Sequence, residues 1–242
     1  MATYRVLSID WDYFIDASFE YRYTNFPDGH VFGQYLESVI WSTHYAQTSG
    51  LTKVGVNTKA LVKVKEYIMS RLNSGRIKAV YCAYNHDECY AFIHKYLTAG
   101  RGDNLSLTNL DFHHDTWSTS NGVVDAGNWL THLQEEFGSS ATLRWVGCKD
   151  SPGSDYSWLN PVSLSAALKL EYDYIFICRS GLWSPPHLDR RFNDLAYAVV
   201  TEAQKRNVPT LLDDNIFDVR YNESFKQDIS QILRAMPKRR KY

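Results

Sequence analysis

The sequence lacks several features that would point directly to a function. Lysine and arginine (26) nearly balance aspartate and glutamate (27), which gives a formal net charge of −1. Without an excess of basic residues, the chain does not have the overall field of a nucleic-acid or membrane binder. No apolar run approaches the ~20 residues of a membrane span, and the first residues lead into a strand pattern without the regions of a signal peptide. We therefore expect a cytoplasmic protein that binds neither nucleic acid nor membranes.

Cysteine is scarce, and its spacing excludes the common zinc and redox motifs. The four cysteines contain no CxxC pair, the spacing expected of a zinc or thiol-redox site. Three of them lie in or beside apolar runs, where free cysteine commonly packs. We interpret all four as reduced, structural residues: Cys82, Cys89, Cys148 and Cys178.

Flexible linkers and internal repeats are also absent, so residues 1–242 are predicted to form one domain. Short apolar runs alternate with helical patterns, which is typical of a parallel sheet covered on both faces. We predict a three-layer α/β fold with a mostly parallel sheet. Strands are predicted at residues 4–9, 77–83, 105–112, 141–146, 172–178 and 210–212. Helices are predicted at residues 34–41, 58–73, 87–99, 128–137, 161–170, 186–205 and 223–235.

Three segments fall outside this pattern. Residues 16–27 and 147–160 are rich in Tyr, Trp, Ser and Gly, and both follow predicted strands. Loops at the carboxyl ends of parallel strands form the ligand crevice of open α/β folds, so these two segments form a substrate rim or else cover the edge of the core. Residues 236–242 are basic, and we interpret them as a disordered tail rather than a docking site for an acidic leader peptide.

The strongest functional signal is a D-x-H-x-D motif at the end of the third predicted strand, formed by Asp111, His113 and Asp115. Because side chains alternate along a strand, these three are expected to converge while Phe112 and His114 point away. We interpret His114 as a surface residue or a proton shuttle. Carboxylate oxygens combined with an imidazole nitrogen suit Mn, Fe or Zn better than Ca or Mg. A helix cap flanked by surface histidines is the alternative interpretation.

Two other predicted strands also end in residues that bind metals. Asp10 and Asp12 lie on one face at the end of the first strand, and His86 follows the second, as a ligand or as a polar cap. Two like charges buried side by side cost several kcal/mol unless a cation compensates them. Six ligands exceed what one catalytic zinc takes. They predict two metal ions ~3.5–4 Å apart with a bridging hydroxide, and which carboxylates are shared stays open.

These motifs resemble those of the arginase and deacetylase superfamily, in which the same three sets of ligands hold a binuclear manganese centre. The superfamily has a D-x-H-x-D motif, a single histidine after another strand, and a D-x-D motif. In this chain His86 matches the single histidine, and Asp10 with Asp12 match the D-x-D motif. The order differs, because ordinary arginases place the D-x-D strand after the D-x-H-x-D strand. The residues around His86, residues 110–115 and Gly127-Asn128-Trp129 are similar to an atypical, rearranged arginase-like family. That family includes peptide arginases, which convert arginine to ornithine in ribosomally made peptide natural products.

The resemblance implies a hydrolase with two Mn²⁺ ions, or other divalent ions, that converts peptidyl-arginine in a precursor peptide to peptidyl-ornithine and urea. A metal-activated hydroxide would attack the guanidinium carbon, and Asp12 is our candidate for carrying the proton to the leaving amine. Asp87 and Glu88 would hold the guanidinium, or they are a first-turn acidic pair favoured by the helix dipole. Asn128 and Arg179 are candidate substrate-binding residues, with a helix cap and a buried ion pair as the respective alternatives.

Three other classes of protein remain open. A deacetylase-type amide hydrolase usually needs fewer metal ligands than this chain offers. A two-metal phosphoesterase would use similar ligands, but the sequence shows no Gly-rich or basic phosphate-binding loop. A protein with purely structural ions would hold them in closed coordination, with no accessible water.

Overall fold

The computed structural model describes residues 1–27, 34–100, 102–117 and 122–220. Within these ranges the strands are β1 (Thr3–Asp10), β2 (Ile15–Asp16), β3 (Gly55–Val56), β4 (Ala79–Ala83), β5 (Asn104–Leu110), β6 (Ala141–Val146), β7 (Leu159–Pro161), β8 (Tyr174–Cys178) and β9 (Thr210–Leu212). The α-helices are α1 (Phe19–Asn25), α2 (Gln34–Gln47), α3 (Thr58–Asn73), α4 (Glu88–Ala91), α5 (Trp129–Phe137), α6 (Leu164–Ala167) and α7 (Asp189–Lys205).

Seven of the strands form one parallel sheet in the order β7-β6-β5-β1-β8-β4-β9. β1 lies inside the sheet, where it pairs in parallel with β5 on one side and β8 on the other. The strands β2 and β3 form a separate antiparallel pair. Since parallel neighbours require crossover connections, helices pack on the sheet. The predicted α/β fold is confirmed, and the sheet is wholly rather than mostly parallel among the described residues.

Both faces of the sheet are buried, which explains why consecutive residues from Val6 to Asp10 of β1 are all buried although they point to opposite faces. Leu7 and Ile9 belong to one hydrophobic core, together with Ile68 of α3 and Val199 of α7. Val6, which points the other way, belongs to a second core that includes Leu133 of α5. The fold therefore has three layers, with the sheet in the middle.

The helices match the predictions where an apolar face is long and regular. α3 has the predicted bounds, because Asn57 accepts a hydrogen bond from Ala60 N at its start and a buried stripe runs along one side. The predicted helix at 87–99 is instead α4 followed by a π-helical turn at Phe92–Tyr96. The prediction at 161–170 is wrong over most of its length, since only α6 is helical there and β7 precedes it. The predicted helix at 223–235 and the tail at 236–242 lie outside the described residues.

Two predictions about the chain's chemistry can be compared with the structure directly. All four cysteines are free, and three of them are buried. Within the described ranges, no helix is both long enough and apolar enough to cross a membrane.

Candidate metal centre

The six predicted ligands meet at the carboxyl end of the sheet. β1 ends at Asp10, and a 3₁₀ turn at Trp11–Phe14 carries Asp12. His86 follows β4, and residues 111–115 follow β5. Because parallel strands all end at the same edge, these three segments bring their side chains together although they lie far apart in the sequence.

One group of ligands surrounds the imidazole of His86. Its Nδ1 lies 3.1 Å from Asp10 Oδ2, 3.1 Å from Asp111 Oδ2 and 2.9 Å from Asp115 Oδ2. All four side chains are buried, and His86 Nδ1 makes no well-formed hydrogen bond. A single N–H cannot satisfy three carboxylates. Ligand atoms at 2.0–2.2 Å from a cation are about 3 Å apart when they occupy adjacent positions, so the observed spacing fits a shared ion.

A second group lies beside the first and shares one residue with it. His113 Nδ1 is 3.1 Å from Asp12 Oδ2, and the ligand atoms of Asp12, Asp111 and His113 all lie within 4.8 Å of one another. Asp12 Oδ2 is buried and has no hydrogen-bond partner. The side chain of His113 is 23% exposed, so this group is the accessible one. Asp111 belongs to both groups and would therefore contribute to both sites.

The buried carboxylates of the cluster require additional positive charge nearby if all of them are to be ionised. Burial raises the pKa of Asp10 and Asp111, and neighbouring carboxylates raise both pKa values further, chiefly Asp12 for Asp10 and Asp115 for Asp111. Burial acts in the same direction on Asp12, but the close approach and charge of His113 outweigh it and lower the pKa of Asp12. Four buried carboxylates do not all ionise at neutral pH without compensation. Divalent cations would supply it.

Polar side chains that the sequence analysis did not assign to the site orient the ligands. Ser8 Oγ lies 2.8 Å from His86 Nε2, and Trp129 Nε1 donates to Asp115 Oδ2 at 2.7 Å. Asn109 Nδ2 donates at 3.0 Å to the carboxylate two residues later. Such bonds fix the orientation of metal ligands and tune their basicity. Ser8 and Asn109 are fully buried polar residues within apolar strands, and this was the available sequence signal.

A turn, rather than strand alternation, causes the D-x-H-x-D motif to converge. β5 ends at Leu110, and Asp115 adopts a φ of 51°, a left-handed conformation that aspartate tolerates better than most residues. The expectation of a surface His114 is wrong, because it is only 5% exposed. Its ring packs on Trp117, and its Nδ1 lies 2.7 Å from Thr116 Oγ1. His114 is in none of the ligand groups found among the described residues.

Asp87 and Glu88 lie beside His86 in the chain but are in none of the ligand groups found within the described ranges. Asp87 Oδ1 is buried and has no hydrogen-bond partner, and burial raises the pKa of this carboxyl group. Glu88 Oε2 accepts a hydrogen bond of 3.4 Å from Tyr81. Asp87 therefore has a buried carboxylate oxygen without a hydrogen-bond partner, whereas Glu88 has a protein partner.

The two candidate substrate-binding residues are held by bonds within the protein. Asn128 Oδ1 accepts from Asp125 N at 2.9 Å, and its side chain makes no capping bond with α5. Arg179 is fully buried, donating to Asp218 O at 2.5 Å and to Ile216 O. Their side chains stabilise loops, so the structure gives no support for substrate contacts by either residue.

Two residues at the centre were not predicted. Arg22 of α1 places Nη1 3.7 Å from Asp12 Oδ2. Cys178, at the end of β8, forms a third group of potential ligands with Asp10 and His86. Arg22 lies in a segment without periodicity, and Cys178 lies in an apolar run, so neither position carries a sequence signal of its own.

Several aromatic rings lie near residues 111–115. Trp183 contacts the ring of His113, with centroids 4.9 Å apart. Phe19 and Tyr23 of α1 are stacked, at 6.0 Å between centroids, and are 45% and 81% exposed. Trp117 is 53% exposed. Phe19 also stacks on Phe112, with centroids 6.4 Å apart, so residues 16–27 place exposed aromatic side chains beside residues 111–115.

Comparisons with protein-family models, curated proteins and solved structures gave no match to this chain. Relationship to the arginase and deacetylase superfamily stays a prediction from the motifs.

Proposed function

We propose that the chain is a metal-dependent hydrolase of carbon–nitrogen bonds that converts arginine side chains in a peptide to ornithine and urea. The observation that supports this most is the pair of adjacent ligand groups sharing Asp111. Their carboxylate and imidazole donors suit manganese. One ion would be held by Asp10, His86, Asp111 and Asp115, and the other by Asp12, Asp111 and His113.

Two divalent cations in such a site lower the pKa of water toward ~7 and so supply hydroxide near neutral pH. In the reaction, the water oxygen bonds to the guanidinium carbon, and the bond from that carbon to Nε breaks. Asp12 stays ionised beside His113, so its carboxylate can accept the proton that water loses and return it to the departing amine. Ornithine stays in the peptide, and the carbon leaves as urea.

The surroundings of the centre support a peptide substrate. The unpartnered carboxylate oxygen of Asp87, next to His86, is suited to a guanidinium group. The exposed rings of Phe19, Tyr23 and Trp117 offer contacts for the residues that flank the arginine. We place the reaction in the cytoplasm, acting on a precursor peptide, because the free cysteines would stay reduced there.

A neutral amide is the second candidate substrate, and Arg22 is the observation that favours it. Its guanidinium lies 3.7 Å from Asp12 Oδ2. A fixed cation at this position stabilises a carbonyl oxygen that gains negative charge, and it repels a cationic substrate. An acetylated lysine in a peptide would fit this requirement.

Mass spectrometry of peptides incubated with the manganese-loaded protein tests both substrates. Arginine hydrolysis by a metal-activated hydroxide and removal of an acetyl group each subtract roughly 42 Da, so the released urea or acetate must be identified as well. We expect urea from arginine peptides with the wild type and with the exposed-site control Asp194→Asn, and none with Asp111→Asn. Release of acetate alone would select the amide hydrolase, and efficient hydrolysis of free arginine with peptides untouched would refute the peptide assignment.

A further inference from the structure

Arg22 holds a buried guanidinium group at the edge of the metal centre, where it is only 6% exposed. Most of its donors bind backbone carbonyls: Nε donates to Ala17 O at 3.1 Å, and Nη2 donates to Asp12 O at 2.9 Å and to Ile15 O at 2.6 Å. The guanidinium carbon lies 3.8 Å from the centroid of the Phe112 ring. These contacts fix the plane and position of the group.

One nitrogen of Arg22 is left without a hydrogen-bond partner. Nη1 is buried, makes no hydrogen bond, and faces Asp12 Oδ2 at 3.7 Å, which is too long for a hydrogen bond. Asp12 Oδ2 is likewise buried and without a hydrogen-bond partner. Leaving a charged donor buried and unsatisfied is costly. Because a guanidinium group only donates, Nη1 is suited to an acceptor brought in by a bound molecule.

We propose that Arg22 Nη1 donates a hydrogen bond to the oxygen atom on the reacting carbon of the substrate, an inference that rests on the proposed hydrolase function. In arginine hydrolysis this is the oxygen that water adds and that becomes the carbonyl of urea. In amide hydrolysis it is the carbonyl oxygen, which becomes negative as the carbon turns tetrahedral. The site therefore binds small oxygen anions on planar or tetrahedral carbon.

Acetate is the simplest probe of this donor, because it presents oxygens on a planar carbon. Acetate would be titrated into protein loaded with manganese and freed of unbound ions, and binding would be measured from the relaxation rate of its methyl protons. A zinc-loaded sample provides the diamagnetic blank. We expect Arg22→Met to weaken acetate binding on the order of 10- to 100-fold, the range for losing a charge-assisted hydrogen bond. Arg22→Lys, which keeps the charge but loses the planar fork, should fall between Arg22→Met and wild type.

Arg71→Met is the matched control, because Arg71 also lies over a ring, at 5.1 Å from the centroid of Tyr67, and also donates to a backbone carbonyl. It should bind acetate as the wild type does. Equal acetate binding by Arg22→Met and wild type at equal manganese content would overturn the proposal, as would a metal-loaded wild type that binds no acetate. If Arg22→Met does not fold or does not bind metal, the test uses Arg22→Lys instead. Weaker acetate binding by Arg22→Lys than by wild type would support the role of Nη1 as a donor, and unchanged acetate binding would refute it.

The same titration separates this inference from the proposed function. A protein that releases neither urea nor acetate from any peptide, yet binds acetate through Arg22, would refute the hydrolase assignment and leave the oxygen-binding role of Arg22 in place.

Discussion

Replacing Asp111 by asparagine should stabilise the metal-free protein and destabilise the metal-loaded one. Asp111 is fully buried, and burial, together with the charges of Asp115, Asp12 and Asp10, raises its pKa well above the ordinary value. A carboxyl group with a raised folded pKa stabilises the fold only below its unfolded pKa, and this contribution is lost as the pH rises through the folded pKa. At neutral pH the metal-free fold is therefore destabilised by this group, and a neutral amide removes that effect.

The size of the effect follows from the burial and from the local hydrogen bonds. Replacing a buried ionic group by a neutral one of similar volume is often stabilising by about 1–4 kcal/mol, and we expect a gain in this range in the free energy of unfolding. The substitution is nearly isosteric, and the bond from His113 N, now 2.8 Å, can be kept. The Oδ1 atom of Asn109 is buried and has no hydrogen-bond partner. After a rotation of the Asn109 side-chain amide, this oxygen can accept a hydrogen bond from the amide group introduced at position 111. No large packing loss should mask the gain.

Urea unfolding followed by circular dichroism measures this prediction, with the metal removed by a chelator and again after loading with manganese. In the chelator, Asp111→Asn should be more stable than wild type by about 1–4 kcal/mol, and the gap should grow as the pH rises from about 4. With manganese the order should reverse, because the variant binds metal more weakly. The control Asp194→Asn, at an exposed position of α7, should stay within about 0.5 kcal/mol of wild type. Lower stability of Asp111→Asn in the chelator would refute the electrostatic reasoning and make Asp111 a structural hydrogen-bonding residue.

Three further predictions concern metal content and folding. His113→Ala should lose one of about two bound ions per chain, whereas His114→Ala should keep both, as measured by elemental analysis; equal losses would contradict the assignment of these histidines. Trp129→Phe, which removes the donor to Asp115, should lower manganese affinity by roughly 10- to 100-fold in a chelator competition, and unchanged affinity would show that the bond does not orient the ligand. Arg179→Met, which removes the buried ion pair of 3.9 Å with Asp189, should lower the free energy of unfolding by about 3–5 kcal/mol without changing the number of ions bound; a variant of normal stability that no longer binds peptide would instead restore the substrate-binding role.

The sequence was most informative where a hydrophobic strand ends in a charged residue. The apolar runs before Asp10, His86 and Asp111 were predicted as buried strands, and parallel strands end at one edge of a sheet. The convergence of these residues therefore follows from the strand assignments alone. The bounds of α3 were equally accessible, because a capping Asn57 precedes a regular apolar stripe.

Other features depend on tertiary contacts that no local pattern encodes. The prediction extended β5 to residue 112, but the strand ends at Leu110 because Phe112 N donates to Asp12 Oδ1 at 3.1 Å instead of pairing with a neighbouring strand. α1 has no apolar stripe, and Arg22 is its one buried residue. The position of Arg22 is fixed by hydrogen bonds to the backbone carbonyls of residues 12, 15 and 17, and only the folded chain brings these carbonyls close to its guanidinium group. β7 is three residues long and ends in proline, which gives no strand signal.

The place of β1 inside the sheet also determines when a metal centre can exist during synthesis. Residues 3–9 pair with residues 104–110, and residues 6–10 pair with residues 174–178. The strand that carries Asp10 is made before both of its neighbours. Its backbone hydrogen-bonding groups therefore stay unpaired until residues 104–110, and on the other side residues 174–178, have been translated. Contacts of such long sequence separation make folding slow. Cellular ions can therefore meet a complete set of ligands only late in folding, and chaperones that shield the first strand would influence how much of the protein acquires metal.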